Sequence, residues 1–178
     1  DTPDSSSPPI LDPTQSLYGL DELEHLAQGG MGQILRGVDP DLGRQVALKV
    51  ILPEVRGSQR IREKFLNEAR ITSQLEHPGI IPVHKLGLTT DGRDYFTMKL
   101  VRGTTLEQAL RELRDREDPK AVLRARSQLL RHFLKICDAL ALAHSRQVIH
   151  RDLKPENIMI GEFGEVLVMD WGLAKFLD

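Results

Sequence analysis

Short stretches that contain apolar residues follow one another in the first half of the chain, and they predict β-strands; the first is mixed apolar and polar, and the third is strongly apolar. These stretches are residues 18–27, 33–39, 44–52, 80–88 and 93–101. Turns that contain Gly, Asp or Pro separate several of them, for example at residues 39–43 and 90–92. Because short turns join neighbouring strands that run in opposite directions, the pattern predicts a five-stranded antiparallel sheet.

Helical spacing replaces the strand pattern over residues 58–75, where apolar residues recur at intervals of three and four. The residues of this stripe are Ile61, Phe65, Leu66, Ala69, Thr72 and Leu75. After residue 101 the chain is mainly helical in pattern. A capping box formed by Thr104 and Glu107 predicts a short helix that ends near Arg114.

A longer helix is predicted over residues 121–145, and two short strands follow near 157–160 and 166–169. The apolar face of this helix contains Leu123, Leu130, Phe133, Leu134, Cys137, Leu140, Ala141 and His144. The basic residues on its other face, which begin at Arg124, are either a solvated surface or a docking strip for an anionic partner. Together the patterns predict an α+β chain with a sheet-rich first part and a helical second part.

Composition limits the classes of protein to which the chain can belong. Its 178 residues are 40% hydrophobic, which suffices for one ordinary core or two small lobes. The net charge of −2 gives no support for binding to nucleic acid or to an anionic membrane surface. A single cysteine excludes an internal disulfide framework and favours a reducing, cytoplasmic location. No apolar run approaches the ~18 residues that a membrane helix needs.

The first 16 residues differ from the rest, since most of them are Asp, Ser, Thr or Pro. Such a segment buries too little apolar surface to offset its chain entropy, so residues 1–16 are expected to be a disordered linker. A phosphorylated regulatory tail is the alternative interpretation. The lack of an initiator Met indicates an excerpt of a longer chain, which leaves open a membrane tether elsewhere in the full-length protein.

Two features place polar chemistry within the predicted sheet. Gly29 and Gly32 lie in a turn between two strands, which is either an ordinary tight turn or a place where backbone N–H groups approach a phosphate. A strand follows this turn rather than a helix, which argues against a dinucleotide-binding fold. Lys49 stands alone among the apolar residues of its strand. It is either a lysine at the rim of the sheet, or a cation that binds an anionic ligand and pairs with Glu68 of the predicted helix.

The segment from His150 to Asn157 concentrates charged and polar residues directly after the long helix. Pro155 prevents this segment from being helical throughout. Asp170 follows an apolar strand 13 residues after Asn157. Asp152, Asn157 and Asp170 supply hard oxygen ligands, which Mg²⁺ prefers when phosphate oxygens complete its coordination.

The order and spacing of these motifs resemble those of the eukaryotic-like protein kinases, and in particular the bacterial serine/threonine kinases. The resemblance covers about residues 18–178 and includes the glycine turn, Val-Ala-x-Lys, the helix Glu, His-Arg-Asp-x-Lys-Pro-x-x-Asn and Asp-x-Gly. It implies a two-lobed fold in which residues 17–101 form the N-terminal lobe and the hinge. Residues 102–178 would form part of a helical C-terminal lobe, ending shortly after Gly172.

The resemblance also implies transfer of a phosphoryl group from ATP, with Mg²⁺, to Ser or Thr of a protein substrate. The residues implied in nucleotide binding are Leu26, Ala27, Gly29, Gly30, Met31, Gly32, Ile34, Ala47, Lys49, Met98, Lys99 and Val101. The implied catalytic residues are Lys49, Glu68, Asp152 and Lys154, and the implied metal ligands are Asn157 and Asp170. Asp152 would accept the proton of the substrate hydroxyl, and Lys154 is typical of relatives that act on Ser or Thr.

Three positions depart from the pattern of the family. Ala27 replaces the first glycine of the loop, Trp171 replaces the usual Phe of Asp-x-Gly, and Lys99 replaces a frequent acidic hinge residue. Two further residues would support the site: His150 would pack beneath it, and Arg151 would bind a phosphate of the activation loop.

Two other functions are weighed against a protein kinase. A pseudokinase that binds nucleotide as a scaffold is less well supported, because none of the catalytic or metal-binding motif residues is replaced. A small-molecule phosphotransferase is disfavoured by the sequence Lys154-Pro155-Glu156, which resembles protein kinases. Without later helices to cover it, the apolar face of the long helix is expected to be exposed. The isolated chain is therefore expected to be poorly stable and inactive on protein substrates.

Overall fold

The computed structural model describes residues 19–177. Its strands are β1 (Asp21–Gln28), β2 (Gly32–Asp39), β3 (Arg44–Ile51), β4 (Val83–Leu88), β5 (Asp94–Lys99), β6 (Gly103–Thr105), β7 (Val148–Ile149), β8 (Ile158–Gly161), β9 (Val166–Val168) and β10 (Lys175–Phe176). Its helices are α1 (Gln59–Gln74), α2 (Leu106–Arg114) and α3 (Pro119–Ser145), with a 3₁₀ turn at Pro155–Asn157. The predicted linker, residues 1–16, lies outside the described residues.

The first five strands form one antiparallel sheet in the order β1-β2-β3-β5-β4, which confirms the predicted sheet. The central strand β3 packs on both of its faces. Val46, Leu48 and Val50 join one apolar cluster, whereas Ala47 and Ile51 join the cluster beneath α1. Burial on both faces explains why the sequence of this strand is almost continuously apolar.

The fourth strand begins at Val83, whereas the sequence analysis predicted a start at residue 80. Ile80 and Ile81 are buried, but Ile80 lies outside the sheet and forms a parallel bridge with Val168 of β9. Pro82 follows and has no N–H to donate to a neighbouring strand. Residues 80–82 therefore connect the sheet to the helical part instead of lengthening β4.

Helix α1 lies within one residue of the predicted boundaries at each end. Phe65 and Ala69 are buried in the cluster that it shares with β3 and β5, and the Phe65 ring centroid lies 5.1 Å from that of Phe96. Near the C-terminal end of the helix, Ile71 and Leu75 belong to the core of the helical part. One helix thus contacts both cores.

The cap of α2 differs from the predicted capping box by one residue. The Thr105 side chain accepts a hydrogen bond from the Gln108 N–H, and the Gln108 side chain accepts one from the Thr105 N–H. β6 ends at Thr105, which directly precedes the helix, and the Thr104 hydroxyl donates instead to Gln108 Oε1 at 2.7 Å. Glu107 pairs instead with Arg111, one turn later.

Helix α3 begins two residues before the predicted start, because Asp118 caps it and Pro119 fits its first position. It packs through Ile136, Ala139 and Ala143, a face of mostly small side chains that the sequence analysis did not single out. The larger apolar side chains are exposed, as expected: Leu123, Leu130, Phe133, Leu134 and Cys137. Leu140 is the exception within that face, since it packs against the core.

Short ladders complete the helical part: β6, β8 and β9 form a three-stranded sheet, and β10 pairs with β7. The polar loop from His150 to Asn157 lies between β7 and β8, and Asp170 lies two residues after β9. None of the helices in the described part of the chain combines the length and the apolar character needed to cross a bilayer.

Candidate functional site

A buried ion pair joins the centre of the sheet to α1. The Lys49 ammonium donates to both carboxylate oxygens of Glu68, at 2.6 Å and 2.7 Å. The side chains of Lys49 and Glu68 are only 13% and 7% exposed, and the ammonium lies 5.9 Å from the centroid of the Phe96 ring. The structure thus brings together the two residues that the sequence analysis paired, and it excludes a lysine whose ammonium simply extends into water.

The protonation of Glu68 depends on the residues around it. Burial raises the pKa of the Glu68 carboxyl, the Lys49 ammonium lowers it, and the negative charge of Asp170 raises it again. The two carboxylates face the same space, since a Cβ on Gly172 would lie within 3.4 Å of an oxygen of each. A cation in that space would relieve their repulsion.

The glycine turn lies between β1 and β2 and closes on itself through a hydrogen bond from the Gly29 N–H to the Gly32 carbonyl, at 2.9 Å. A second bond, from the Leu52 N–H to the Met31 carbonyl, ties the turn to the end of β3. A Cβ at Gly32 would lie 2.7 Å from the Val50 carbonyl oxygen, so the turn needs glycine there. Its position at the end of β3 places the turn over the Lys49 side of the sheet.

The glycine turn and the Asp-x-Gly segment meet at Glu68. A Cβ on Gly172 would lie 3.2 Å from Asp170 Oδ1, 3.4 Å from Glu68 Oε2 and 3.5 Å from Met31 Cε. Four predicted motifs, separated by up to 140 residues, therefore converge on one small volume.

A largely buried apolar cluster lies on the same face of the sheet as Lys49. Ile34, Ala47, Met98 and Val101 belong to one cluster, in which Ala47 pairs directly with Met98 across the sheet. Met169 packs against the same cluster, and the sequence analysis did not assign it to the site. Its position directly before Asp170 is the feature of the sequence that could have identified Met169 as a residue of the site. Apolar side chains of this kind suit contact with a nucleobase.

Four of the predicted nucleotide-binding residues lie on β1, in the glycine turn or at the end of β5. Leu26 and Ala27 lie on β1 beside the glycine turn, where Ala27 pairs with Ile34. Lys99 turns its side chain away to Glu165, 3.7 Å distant, and its backbone N–H donates to the Pro82 carbonyl. Among the hinge residues, the Lys99 N–H is thus engaged within the protein rather than available to a ligand. Gly30 lies at the exposed tip of the turn.

The loop before β8 gathers three polar side chains. Lys154 Nζ lies 3.2 Å from Asp152 Oδ2, and Asn157 Nδ2 donates to the same oxygen at 3.2 Å. The hydrogen bond from Lys154 lowers the pKa of the Asp152 carboxyl, and the Asn157 amide acts in the same direction. Asp152 is therefore an ionised carboxylate that is accessible to a hydroxyl group in the cleft.

Asn157 links this loop to the segment that contains Asp170. Its amide nitrogen also donates to the Asp152 backbone carbonyl, so Oδ1 is the atom of its side chain left to bind a cation. The Asn157 carbonyl accepts a bond from the Met169 N–H at 2.8 Å, which sets the Asp170 segment beside it. The two predicted metal ligands thus offer oxygen atoms of the type that Mg²⁺ binds.

His150 is buried and contacts both the Asp152 loop and the segment before Asp170. Burial lowers the pKa of its imidazole, so the ring is neutral at pH 7. Nε2 lies 2.9 Å from the Met169 carbonyl, and Nδ1 accepts from the Asp152 N–H, which is the pattern of an Nε2–H tautomer. The ring also packs on Trp171, with centroids 4.6 Å apart, and the indole N–H of Trp171 donates to the Val168 carbonyl.

Two residues of the site adopt a strained backbone. Arg151 and Asp170 have φ angles of 66° and 56°, in the left-handed region that residues other than glycine rarely occupy. Strain of this kind costs of order 1–3 kcal/mol for each residue, and it is concentrated at functional sites. Arg151 Nε donates to the Leu173 carbonyl, which holds the chain after Asp170 against the loop.

Comparison with known proteins gives a consistent result. The family model for the protein kinase domain matches residues 20–178. The chain is 44% identical over 160 residues to a serine/threonine-protein kinase PknD of Protochlamydia amoebophila, and 39% identical over 155 residues to the PknD of Chlamydia trachomatis serovar D. These alignments cover 88% and 85% of this chain but 16% of each relative. The chain therefore spans about one sixth of the length of these relatives.

Proposed function

Because this chain belongs to the protein kinase family, we propose that it forms the ATP-binding part of an enzyme that phosphorylates Ser or Thr of protein substrates. The observation that carries the proposal is the buried, bidentate pair of Lys49 and Glu68, with Asp170 close to the same carboxylate. In this assignment residues 17–101 are the N-terminal lobe and hinge, and residues 102–178 belong to the C-terminal lobe. ATP use and the single cysteine favour a reducing, cytoplasmic location.

Nucleotide binding uses both surfaces of the cleft. The apolar cluster that contains Ala47, Met98 and Met169 receives the adenine. Hydrogen bonds to the base come from backbone groups of residues 99–101 other than the Lys99 N–H, which bonds to Pro82. The backbone of the glycine turn covers the phosphates. Lys49, held in position by Glu68, binds the phosphate oxygens as a point charge.

The metal site is supported by donor chemistry. Asn157 Oδ1 and the Asp170 carboxylate would hold Mg²⁺, which would supply positive charge beside the phosphates. Asp170 is held for this purpose by its neighbours, since the Gly172 N–H lies 3.4 Å from Asp170 Oδ1.

Phosphoryl transfer places the acceptor hydroxyl at Asp152. The ionised carboxylate orients the hydroxyl and accepts its proton as the hydroxyl oxygen bonds to the γ-phosphorus. The bond from that phosphorus to the oxygen of the β-phosphate breaks at the same time, and ADP leaves. Lys154 lies beside Asp152 and has a raised pKa, mainly because it hydrogen-bonds that carboxylate. It therefore carries a positive charge where the transferred group gains negative charge, and its identity favours Ser or Thr as the acceptor.

The experiment compares two carboxylates of the full-length protein. Asp152→Asn is expected to lower turnover by about 10²–10⁴-fold, the usual loss for a general base, while Mg²⁺–ATP binds as in the unmodified protein. Asp170→Asn removes a metal ligand, so the dependence of ATP binding on Mg²⁺ is expected to weaken. Asp138→Asn, an exposed change on α3, is the matched control. Equal losses of nucleotide binding in the Asp152 and Asp170 variants would contradict the proposal.

A further inference from the structure

A second ion pair attaches α1 to the sheet, at some distance from Glu68. Arg62 Nε donates to Asp94 Oδ2 at 2.6 Å, and a terminal nitrogen of the same guanidinium donates to Oδ1 at 3.1 Å. The Asp94 side chain is 6% exposed, whereas that of Arg62 is 42% exposed. The pair is therefore a bidentate bond to a buried carboxylate, and the sequence analysis did not predict it.

The spacing of this pair on the helix matches the spacing of the residues that dock α1. Arg62, Phe65 and Glu68 follow one another at intervals of three. Each interval advances the helix by about 4.5 Å and turns it by about 300°, so the three side chains stay near one face. Arg62 binds Asp94, Phe65 packs on Phe96, and Glu68 binds Lys49.

The partners in the sheet lie in a matching row. Asp94 and Phe96 are alternate residues of β5, so their side chains lie on the same face of the sheet. Lys49 is directly opposite Phe96 in the register of β3 with β5. The helix therefore rests on the sheet through a polar contact at each end and an aromatic contact between them.

We propose that Arg62 and Asp94 are a positioning pair that sets the orientation of α1 and so holds Glu68 against Lys49; this rests on the proposed function of the Lys49–Glu68 pair in nucleotide binding. An aromatic contact alone is not directional, and it permits rotation of the helix. A bidentate bond between a guanidinium and a carboxylate fixes both distance and direction.

Loss of Arg62 has a consequence for the whole helix. Asp94 would be left buried without its guanidinium, and it would have to gain water or another cation. Neither water nor the Met side chain can reproduce the bidentate bond, so the N-terminal half of α1 would lose its fixed position over β5. Displacement of that half changes the direction of the Glu68 side chain, six residues further along the same rigid helix.

The test measures Mg²⁺–ATP affinity of the full-length protein by titration calorimetry. Arg62→Met is expected to weaken binding by about tenfold, since small displacements of a site residue can cost up to about 10²-fold. Arg62→Lys, which retains the charge and one hydrogen bond, is expected to recover part of the affinity. Arg60→Met makes the same chemical change at an exposed position of α1 and is expected to bind as the unmodified protein does.

A positioning role differs from a general structural role in its dependence on Glu68. If Arg62 acts through Glu68, Arg62→Met is expected to weaken binding no further once Glu68→Gln is present. The double variant Arg62→Met with Asp94→Asn separates the loss of the pair from the burial of an unpaired charge. It is expected to bind Mg²⁺–ATP as weakly as Arg62→Met does, but to melt at a higher temperature than Arg62→Met.

Unchanged Mg²⁺–ATP affinity in Arg62→Met would overturn this inference. So would a double variant, Arg62→Met with Glu68→Gln, whose fold-loss of affinity is the product of the two single losses. Equal losses of affinity in Arg62→Met and Arg60→Met would overturn it as well. Failure of the proposed function has a different result, in which the unmodified protein does not bind Mg²⁺–ATP. In that case amide hydrogen exchange of α1 still tests the pair. Faster exchange in Arg62→Met, but not in Arg60→Met, is expected, and equal exchange in the two variants would overturn it.

Discussion

Replacement of Lys49 by Met removes the cation from a buried pair and leaves its carboxylate in place. Glu68 is 5% exposed, and breaking a pair at such a site costs about 3–5 kcal/mol of the free energy of unfolding when the remaining charge stays buried. Glu68 can reduce this cost by taking up a proton, because burial already raises its pKa. Each pKa unit that separates the carboxyl from the ambient pH costs about 1.4 kcal/mol.

This protonation gives the Lys49→Met variant a characteristic dependence on pH. The pKa of Glu68 in the folded variant lies above that in the unfolded chain, so the folded state binds more protons between those two values. The stability of the variant therefore falls as pH rises through that window. We expect the difference in unfolding free energy between Lys49→Met and the unmodified protein to be smaller at pH 5 than at pH 8.

The assay is urea denaturation followed by far-ultraviolet circular dichroism, for both single variants and for Lys49→Met with Glu68→Gln. The neutral amide carries no buried charge, so the double variant is expected to be less destabilised than the sum of the single variants, by about 0.5–3 kcal/mol. Additive effects, or a loss in Lys49→Met that does not change with pH, would refute the reasoning. In the full-length protein, Lys49→Met is also expected to abolish phosphoryl transfer, which a radiolabelled ATP assay measures.

Three further predictions concern the remaining parts of the site. Gly32→Ala is expected to weaken Mg²⁺–ATP binding in a calorimetric titration, because a Cβ there would meet the Val50 carbonyl at 2.7 Å and displace the turn; unchanged binding would contradict this. Lys154→Met is expected to raise the pKa of Asp152, because the hydrogen bond from Lys154 lowers it in the unmodified protein. Nuclear magnetic resonance titration of the Asp152 carboxyl measures this pKa, and an unchanged value would contradict the prediction. A histidine whose pKa is lowered in the folded state destabilises the fold as pH falls below about 6.5. The melting temperature of His150→Phe is therefore expected to fall less between pH 7 and pH 5 than that of the unmodified protein. The same fall in both proteins would argue against this reasoning.

The sheet and α1 were predictable because their periodicity is strong and their turns are short. The ladder of β3 with β5 and the helix at Gln59–Gln74 agree with the sequence pattern to within about two residues. The pairing of Lys49 with Glu68 was also predictable, since a lone charge in an apolar strand requires a partner.

The features that were missed depend on contacts between distant segments. α3 carries apolar residues on two faces, so its sequence alone does not show that the alanine face packs and that Phe133 and Leu134 are exposed. The cap of α2 lies at Thr105 because β6 continues to that residue and the helix begins only at Leu106, and no local signal reveals the ladder of β6 with β8. Asp94 resembles an ordinary residue of a turn, and its partner lies 32 residues earlier.

The two segments that leave the sheet cross to the helical part side by side. The Lys99 N–H bonds to the Pro82 carbonyl, and the Val168 N–H bonds to the Gly79 carbonyl, so the crossings form a single joint. Along β3, Val46 lies at this joint opposite Lys99, whereas Ile51 lies opposite Gly32.

The distance along β3 between these two ends is about 17 Å. A rotation of about 10° about an axis that passes through the joint perpendicular to β3 would therefore move the glycine turn by about 3 Å. The residues at the joint would hardly move. In this geometry the axis of such a rotation lies next to the proposed adenine-binding residues, and the largest displacement falls on the glycine turn.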